Sequence, residues 1–175
     1  GGQFQKPYNS ANLPSEFRGS RPIDTSKYHT PYNAWYDDRF IKEPVAADVF
    51  FMRGGAYVVG DRVKEVVESM EATGVQFLET RVRTDKGEIL EGYQVMHVWN
   101  TIAALDEDNF TGGRSLYNPE ILVLRQFSLD DKVLRKIPLK DRLIFHLAES
   151  HDHIMVHERL KQKLEWISPT GISFV

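Results

Sequence analysis

The sixteen residues Arg62–Phe77 recur as Arg159–Phe174 without a gap, so any fold this chain adopts must house one short unit twice. Arg62/Arg159, Lys64/Lys161, Glu68/Glu165, Thr73/Thr170, Gly74/Gly171 and Phe77/Phe174 are identical. Val63/Leu160, Val67/Leu164, Met70/Ile167 and Val75/Ile172 exchange one apolar residue for another, and the likeness continues upstream through Asp61/Glu158 and Val59/Val156. In the first copy Val63, Val66, Val67 and Met70 fall at the i, i+3, i+4, i+7 spacing of an amphipathic helix. Asp61 is placed to cap its start and Gly74 to close its end, with Val75 and Phe77 opening a half-buried strand. The second copy keeps Leu160, Leu164 and Ile167 on the stripe, and Pro169 requires the helix to end by Ser168. The expectation is two similar strand–helix–strand units, at about 57–77 and 154–174. Two copies are too few for a solenoid, so both belong to one domain.

The rest of the chain agrees with an α+β fold built mostly on antiparallel sheet. Residues 1–45 hold Pro7, Pro14, Pro22, Pro31 and Pro44 among aromatic and small polar residues, and read as an extended arm packed on a single domain at 46–175. Tyr8, Phe17, Tyr28, Tyr32, Trp35, Tyr36 and Phe40 supply more rings than a free linker needs. Val45–Val59 reads as strand and turn around Gly54-Gly55, and Thr84-Asp-Lys-Gly87 as the turn of a hairpin. Tyr93–Ile102 and Ile121–Phe127 are candidate central strands, separated by a polar loop over 106–119. Val133–Leu139 and Leu143–Leu147 complete the strand candidates.

Composition removes several classes of function. There is no cysteine, hence no disulfide, thiolate metal site or cysteine nucleophile. The net charge of −3 argues against a nucleic-acid binder. No apolar run is long enough to span a membrane, and the amino terminus lacks the apolar core of a secretory leader. A cytoplasmic protein is expected. No Gly-x-Ser-x-Gly elbow, phosphate-binding loop or dinucleotide fingerprint occurs, and the chain calls for no cofactor.

Three groups of residues remain as candidate sites. His151 and His153 would share one face of a strand, a spacing that can chelate a metal, although no second ligand pair stands elsewhere. Asp106-Glu107-Asp108 is an acidic run suited to meeting a basic partner. Tyr32, Trp35 and Tyr36 are of the type that anchors protein interfaces. A metal-dependent or small-molecule hydrolase using His151 and His153, and a homo-oligomeric structural protein tied by the arm, are the alternatives to a binding protein.

The chain resembles bacterial polymorphic-toxin immunity proteins of the eleventh named immunity family. The resemblance is carried by an ordered series: Gly19-Ser-Arg-Pro22, Val58-Val-Gly-Asp-Arg-Val-Lys-Glu-Val-Val67 leading into Gly74-Val-Gln-Phe77, Tyr93-Gln-Val-Met-His-Val-Trp-Asn100 running into Ala104-Leu-Asp106, and Ile154-Met-Val-His-Glu-Arg-Leu160 through Thr170-Gly-Ile-Ser-Phe174. It departs from the family pattern at the helix caps, where Asp61 and His157–Glu158 stand in place of Ser or Thr. The resemblance implies a protein without catalytic residues that binds the carboxy-terminal domain of a cognate toxin in the producing cell and blocks it. Tyr32, Trp35 and Tyr36 would then be anchors, with Asp106, Glu107 and Asp108 as charged rim.

Overall fold

A computed structural model describes residues 10–11, 17, 19–36, 47–52 and 56–174. The first copy of the repeat is built from a hairpin and a helix: β3 (Val49–Met52), β4 (Ala56–Gly60) and α1 (Asp61–Ser69). The second is built from the same parts: β11 (Ile144–Leu147), β12 (Ser150–Val156) and α3 (Glu158–Trp166). Val49 pairs with Val59 as Ile144 pairs with Val156, and the Gly60 and His157 amides donate to the Asp48 and Leu143 carbonyls at 2.8 and 2.9 Å. Val49-Phe50-Phe51-Met52 therefore stands over Ile144-Phe145-His146-Leu147, and in each set the first, second and fourth side chains are buried. The repeat is longer than its sequence match, because two extra residues and a register shift in the second hairpin break the alignment there.

The two copies pack on each other. Val49, Val59, Val63 and Val67 of the first join Ile144, Leu160 and Leu164 of the second in one cluster, completed by Val98 and Leu143. Both helices end on a non-glycine residue in the left-handed region, Glu71 (φ 53°) and Ser168 (φ 46°). Gly74 and Gly171 are thus not the helix caps expected of them. They are second left-handed positions, φ 76° and 82°, where the chain passes tight against a neighbour. A Cβ on Gly74 would lie 2.1 Å from the Asn100 Cβ, and one on Gly171 would lie 1.9 Å from the Val49 carbonyl oxygen.

The threonine before each glycine reaches across to the other copy. Thr73 Oγ1 donates to the Asp141 carboxylate at 2.6 Å, and its amide donates to the Lys140 carbonyl at 3.0 Å. Thr170 donates to the Asp48 carboxylate from its amide at 2.8 Å and its hydroxyl at 2.9 Å, while its carbonyl accepts from the Val49 amide at 3.0 Å. Burial pushes the Asp48 carboxyl up, but the Thr170 bonds and the Arg62 guanidinium outweigh it and hold the group below its ordinary 3.8.

Beyond the glycines the copies diverge. The first continues into β5 (Val75–Thr84), whereas among the described residues after Gly171 no strand forms, and Ile172 and Phe174 pack against the shared core. The expected pair of strand–helix–strand units therefore does not form as a pair among the described residues: the first copy has its closing strand and the second does not.

The main sheet has the order β1-β2-β5-β7-β4-β3, where β1 is Ser10–Ala11, β2 Tyr32–Tyr36 and β7 Tyr93–Val98; β6 (Ile89–Leu90) pairs with β5. All its pairings are antiparallel except β2 with β5. A second sheet joins β12, β11 and β8 (Thr101–Ile102), and a third pairs β9 (Leu105–Arg114) with β10 (Leu122–Leu129). The hairpin turn closes as expected, with the Gly87 amide on the Thr84 carbonyl at 3.0 Å. The Gly54-Gly55 turn, Tyr8 and Phe40 lie outside the described residues.

Four strand readings need correction. Tyr32–Tyr36, read as part of the extended arm, is a strand within the sheet, burying Tyr32, Ala34 and Tyr36 in a core with Phe50, Met52, Leu78, Val82 and Val95. The polar loop over 106–119 is largely β9. Ile121–Phe127 is not central, because β10 pairs with β9 alone and leaves Val123 48% exposed. Val133–Leu139 holds the end of a short helix, α2 (Asp131–Leu134), since the Asp130 carboxylate accepts from the Lys132 and Val133 amides and turns the chain.

Side chains tie the segment before β2 to the sheet. The Gln76 amide accepts from the Ile23 amide at 2.9 Å and donates to the Ile23 carbonyl at 3.1 Å, as a strand neighbour would. His97 is buried against the Phe17 ring, and its Nε2 lies 3.0 Å from the Arg21 carbonyl. A carbonyl only accepts, so Nε2 carries a proton. Burial holds the ring below the ordinary 6.5, with the Arg21 bond opposing in part.

These contacts generate two expected outcomes. Gly171→Ala combines a left-handed backbone with a backbone clash, and should cost about 3 kcal/mol or more in urea unfolding. Gly87→Ala, left-handed but with nothing within 4 Å, should cost only about 1–2 kcal/mol. Equal losses would contradict the close approach of Gly171 to Val49. The second outcome concerns His157, which caps α3 by accepting the Arg159 amide on Nδ1 at 3.1 Å, and so must be unprotonated there. Burial, then Arg142 and Arg159, lower its pKa from 6.5 against the opposing pull of Glu158. The unfolded chain takes up the proton first, so this stability is full above 6.5 and drains as pH falls through the lower folded value. The melting temperature should drop between pH 8 and pH 5, and His157→Ser, which caps at any pH, should shrink that drop; an unchanged pH profile would refute the cap's role.

Candidate partner-binding surface

β10 presents two different faces. Leu122, Leu124, Phe127 and Leu129 turn inward to a third apolar cluster with Phe145, Leu147 and Leu134, and Phe127 meets the His153 ring edge-on at 5.2 Å. β9 is carried on the other edge of β10, and among the described residues nothing else pairs with it. Every residue from Glu107 to Arg114 is exposed, as are Leu116 (96%) and Tyr117 (100%) in the turn that follows. Ser115 holds that turn by accepting from the Tyr117 and Asn118 amides, and Arg114 donates to the Pro119 carbonyl at 2.6 Å. Thr111, Gly112, Gly113, Leu116, Tyr117, Val123 and Arg125 border a shallow cradle of about 690 Å³ at this end of the ribbon.

The acidic run opens β9. Asp106 folds back as a brace, accepting from Asn109 Nδ2 at 2.7 Å, the Asp108 amide at 3.2 Å and Ser128 Oγ at 3.3 Å. Bonds from Asn109 and the Asp108 amide, with Ser128 assisting, hold its carboxyl below the usual carboxylate range. Glu107 and Asp108 are left facing solvent. Of the aromatic candidates, Tyr32 (4% exposed) and Tyr36 (8%) are core residues, Tyr36 edge-on to Phe50 at 5.0 Å, and Trp35 is half-buried. The six sequence candidates therefore do not converge: three lie on β2 and three on β9. Leu116, Tyr117, Phe110 and Val123 were missed, because an exposed apolar residue in a polar stretch leaves no periodic signal; Gly112-Gly113 beside Leu116-Tyr117 was the available hint.

Two further hollows bear on catalysis. The space between the repeat copies, about 270 Å³, is lined by Val49, Val59, Val63, Val67, Ile144 and Leu164 among others, and brings no set of polar groups together. A groove of about 860 Å³ between β10, β12 and α3 holds His153, His157, Arg142, Lys161, Asp131 and Glu158. There His153 Nδ1 lies 3.1 Å from Ser150 Oγ, but Ser150 is fully buried and out of reach of a substrate. No three His, Asp or Glu residues among those described could hold one metal ion, and the side chain of His151 lies outside the described residues. No helix among the described residues is long and apolar enough to cross a membrane.

No curated protein matches the chain. The Immunity protein family (Imm11) matches it over residues 5–175, which takes in both repeat copies, the ribbon and nearly all of the amino-terminal segment. The match spans well over half of the sequence, and the chain belongs to the Imm11 family of immunity proteins.

Proposed function

We propose that this protein is a non-catalytic immunity protein, which binds the carboxy-terminal domain of a cognate toxin and neutralises it by direct contact in the cytoplasm of the producing cell. The observation that carries this reading is the family match over 5–175. Two features support it: the Ser150–His153 pair in the groove has its hydroxyl buried, and the exposed apolar side chains Leu116 and Tyr117 sit where a partner could cover them. Neutralisation by contact means either capping the toxin's active site or holding the toxin in an inactive shape, and both require a complementary surface rather than turnover. Glu107 and Asp108 serve as charged rim, Asp106 as their brace, and Trp35 as a secondary contact. Tyr32 and Tyr36 act from the core by holding β2 in place.

Co-expression is the direct test. Cells expressing the toxin domain encoded by the adjacent gene should survive when this protein is present, and the two should co-purify. Leu160→Ala, which empties a fully buried site and should cost about 2–5 kcal/mol of stability, should weaken protection in step with the folded fraction. Survival without a complex, or a complex without protection, would defeat the reading.

A further inference from the structure

We infer that the free edge of β9 and the cradle beside it are the toxin-contacting surface, and that the toxin presents an extended segment added as a strand along that edge. This rests on the immunity reading and names the site through which it would act. An unpaired strand edge offers a row of backbone donors and acceptors to any other extended chain, and proteins guard such edges with charge, proline or cover. Along Asn109-Phe110-Thr111-Gly112-Gly113 there is no charge and no proline. Nothing else in the described structure pairs with the strand.

The charges around this neutral stretch specify the occupant. Asp108 and Glu107 stand at one end and Arg114 at the other, about 20 Å apart along the strand, while Arg125 sits on β10 at the bulge opposite Gly112 and Thr111. The complementary segment is apolar in the middle, basic where it faces Glu107 and Asp108, and acidic where it faces Arg114. One of its central side chains enters the cradle against Leu116, Tyr117 and Val123. Gly112 keeps the floor of the cradle low by necessity, since a Cβ there would lie 2.2 Å from the Val123 carbonyl oxygen. Gly113 does so by choice, because a Cβ on it meets nothing within 4 Å. That open space is unused by the fold and available to a partner.

Calorimetric titration against the purified, catalytically inactivated toxin domain tests the inference with two variants. Gly113→Lys fills the cradle and guards the edge, and the double change L116S/Y117S removes the exposed anchors. Both sites are solvent-exposed, so each variant should melt within a few degrees of the parent, which thermal unfolding checks. Each should bind roughly thirtyfold more weakly or worse. Parent and variants binding alike would overturn the ribbon surface and leave the immunity reading standing. A parent protein that does not bind would overturn both. Self-association of the parent that Gly113→Lys abolishes, at unchanged toxin affinity, would assign the edge to a second copy of this chain and equally overturn the inference.

Discussion

Everything in this molecule leans on the crosswise packing of its two repeat copies. Each copy alone is a hairpin and a helix of nine residues, too small to bury its own apolar stripe. Set together, Val63 and Val67 share a core with Leu160 and Leu164, and the hairpin residues Val49, Val59 and Ile144 close it. Fully burying side chains of this size contributes about 1.5–3 kcal/mol each, so the stripe-on-stripe contact outweighs any single polar bond in the structure. The threonine–aspartate bonds then set register rather than supply the bulk of stability. Thr73 reaches Asp141 and Thr170 reaches Asp48, so each copy is pinned to the segment that enters the other, and neither helix can slide without breaking both.

That arrangement also explains the asymmetry after the glycines. β5 leaves the first copy to run between β2 and β7, and so links the repeat core to the core beneath Tyr32, Tyr36 and Phe50. The corresponding residues of the second copy, Ile172 and Phe174, stay against the repeat core instead. The same apolar pair, Val75/Phe77 or Ile172/Phe174, thus does two jobs. In one copy it opens a strand and pairs with Val98 and Met96 of β7. In the other it is packing alone, because local sequence offers a strand but only a sheet edge makes one.

How much could be read beforehand follows from which signals are local. Helical spacing at Val63, Val67, Leu160 and Leu164 placed both helices, and Thr84–Gly87 placed a turn, since each depends on a few adjacent residues. Strand β2 was hidden because Pro31 and the mixed aromatic composition around it suggest an arm. Its burial comes from β5, some fifty residues away, and from Gln76 holding Ile23. The edge of β9 was hidden for the opposite reason: polar residues and two glycines read as loop, and only the pairing with β10 makes them a strand. The orientation of the three rings was hidden on the same ground, for residue type says that a ring can bind but not which way it faces. Tyr32 and Tyr36 point into the core with the period of a strand, leaving Asn33 exposed and Trp35 half-buried.

The division of labour between repeat and ribbon has a physical consequence for specificity. Changing a residue of the shared core alters volume in a close-packed interior and costs stability wherever it occurs. Changing Glu107, Phe110, Gly113, Leu116 or Tyr117 alters exposed positions, none of which belongs to the third core. Surface substitutions of this kind usually move stability by less than about 0.5 kcal/mol. A protein whose task is to match one partner and ignore others needs positions that can be altered freely while the frame stays fixed. β9 has that freedom only because the chain between the two repeat copies returns along β10, spending one strand as foundation so that its neighbour can face outward.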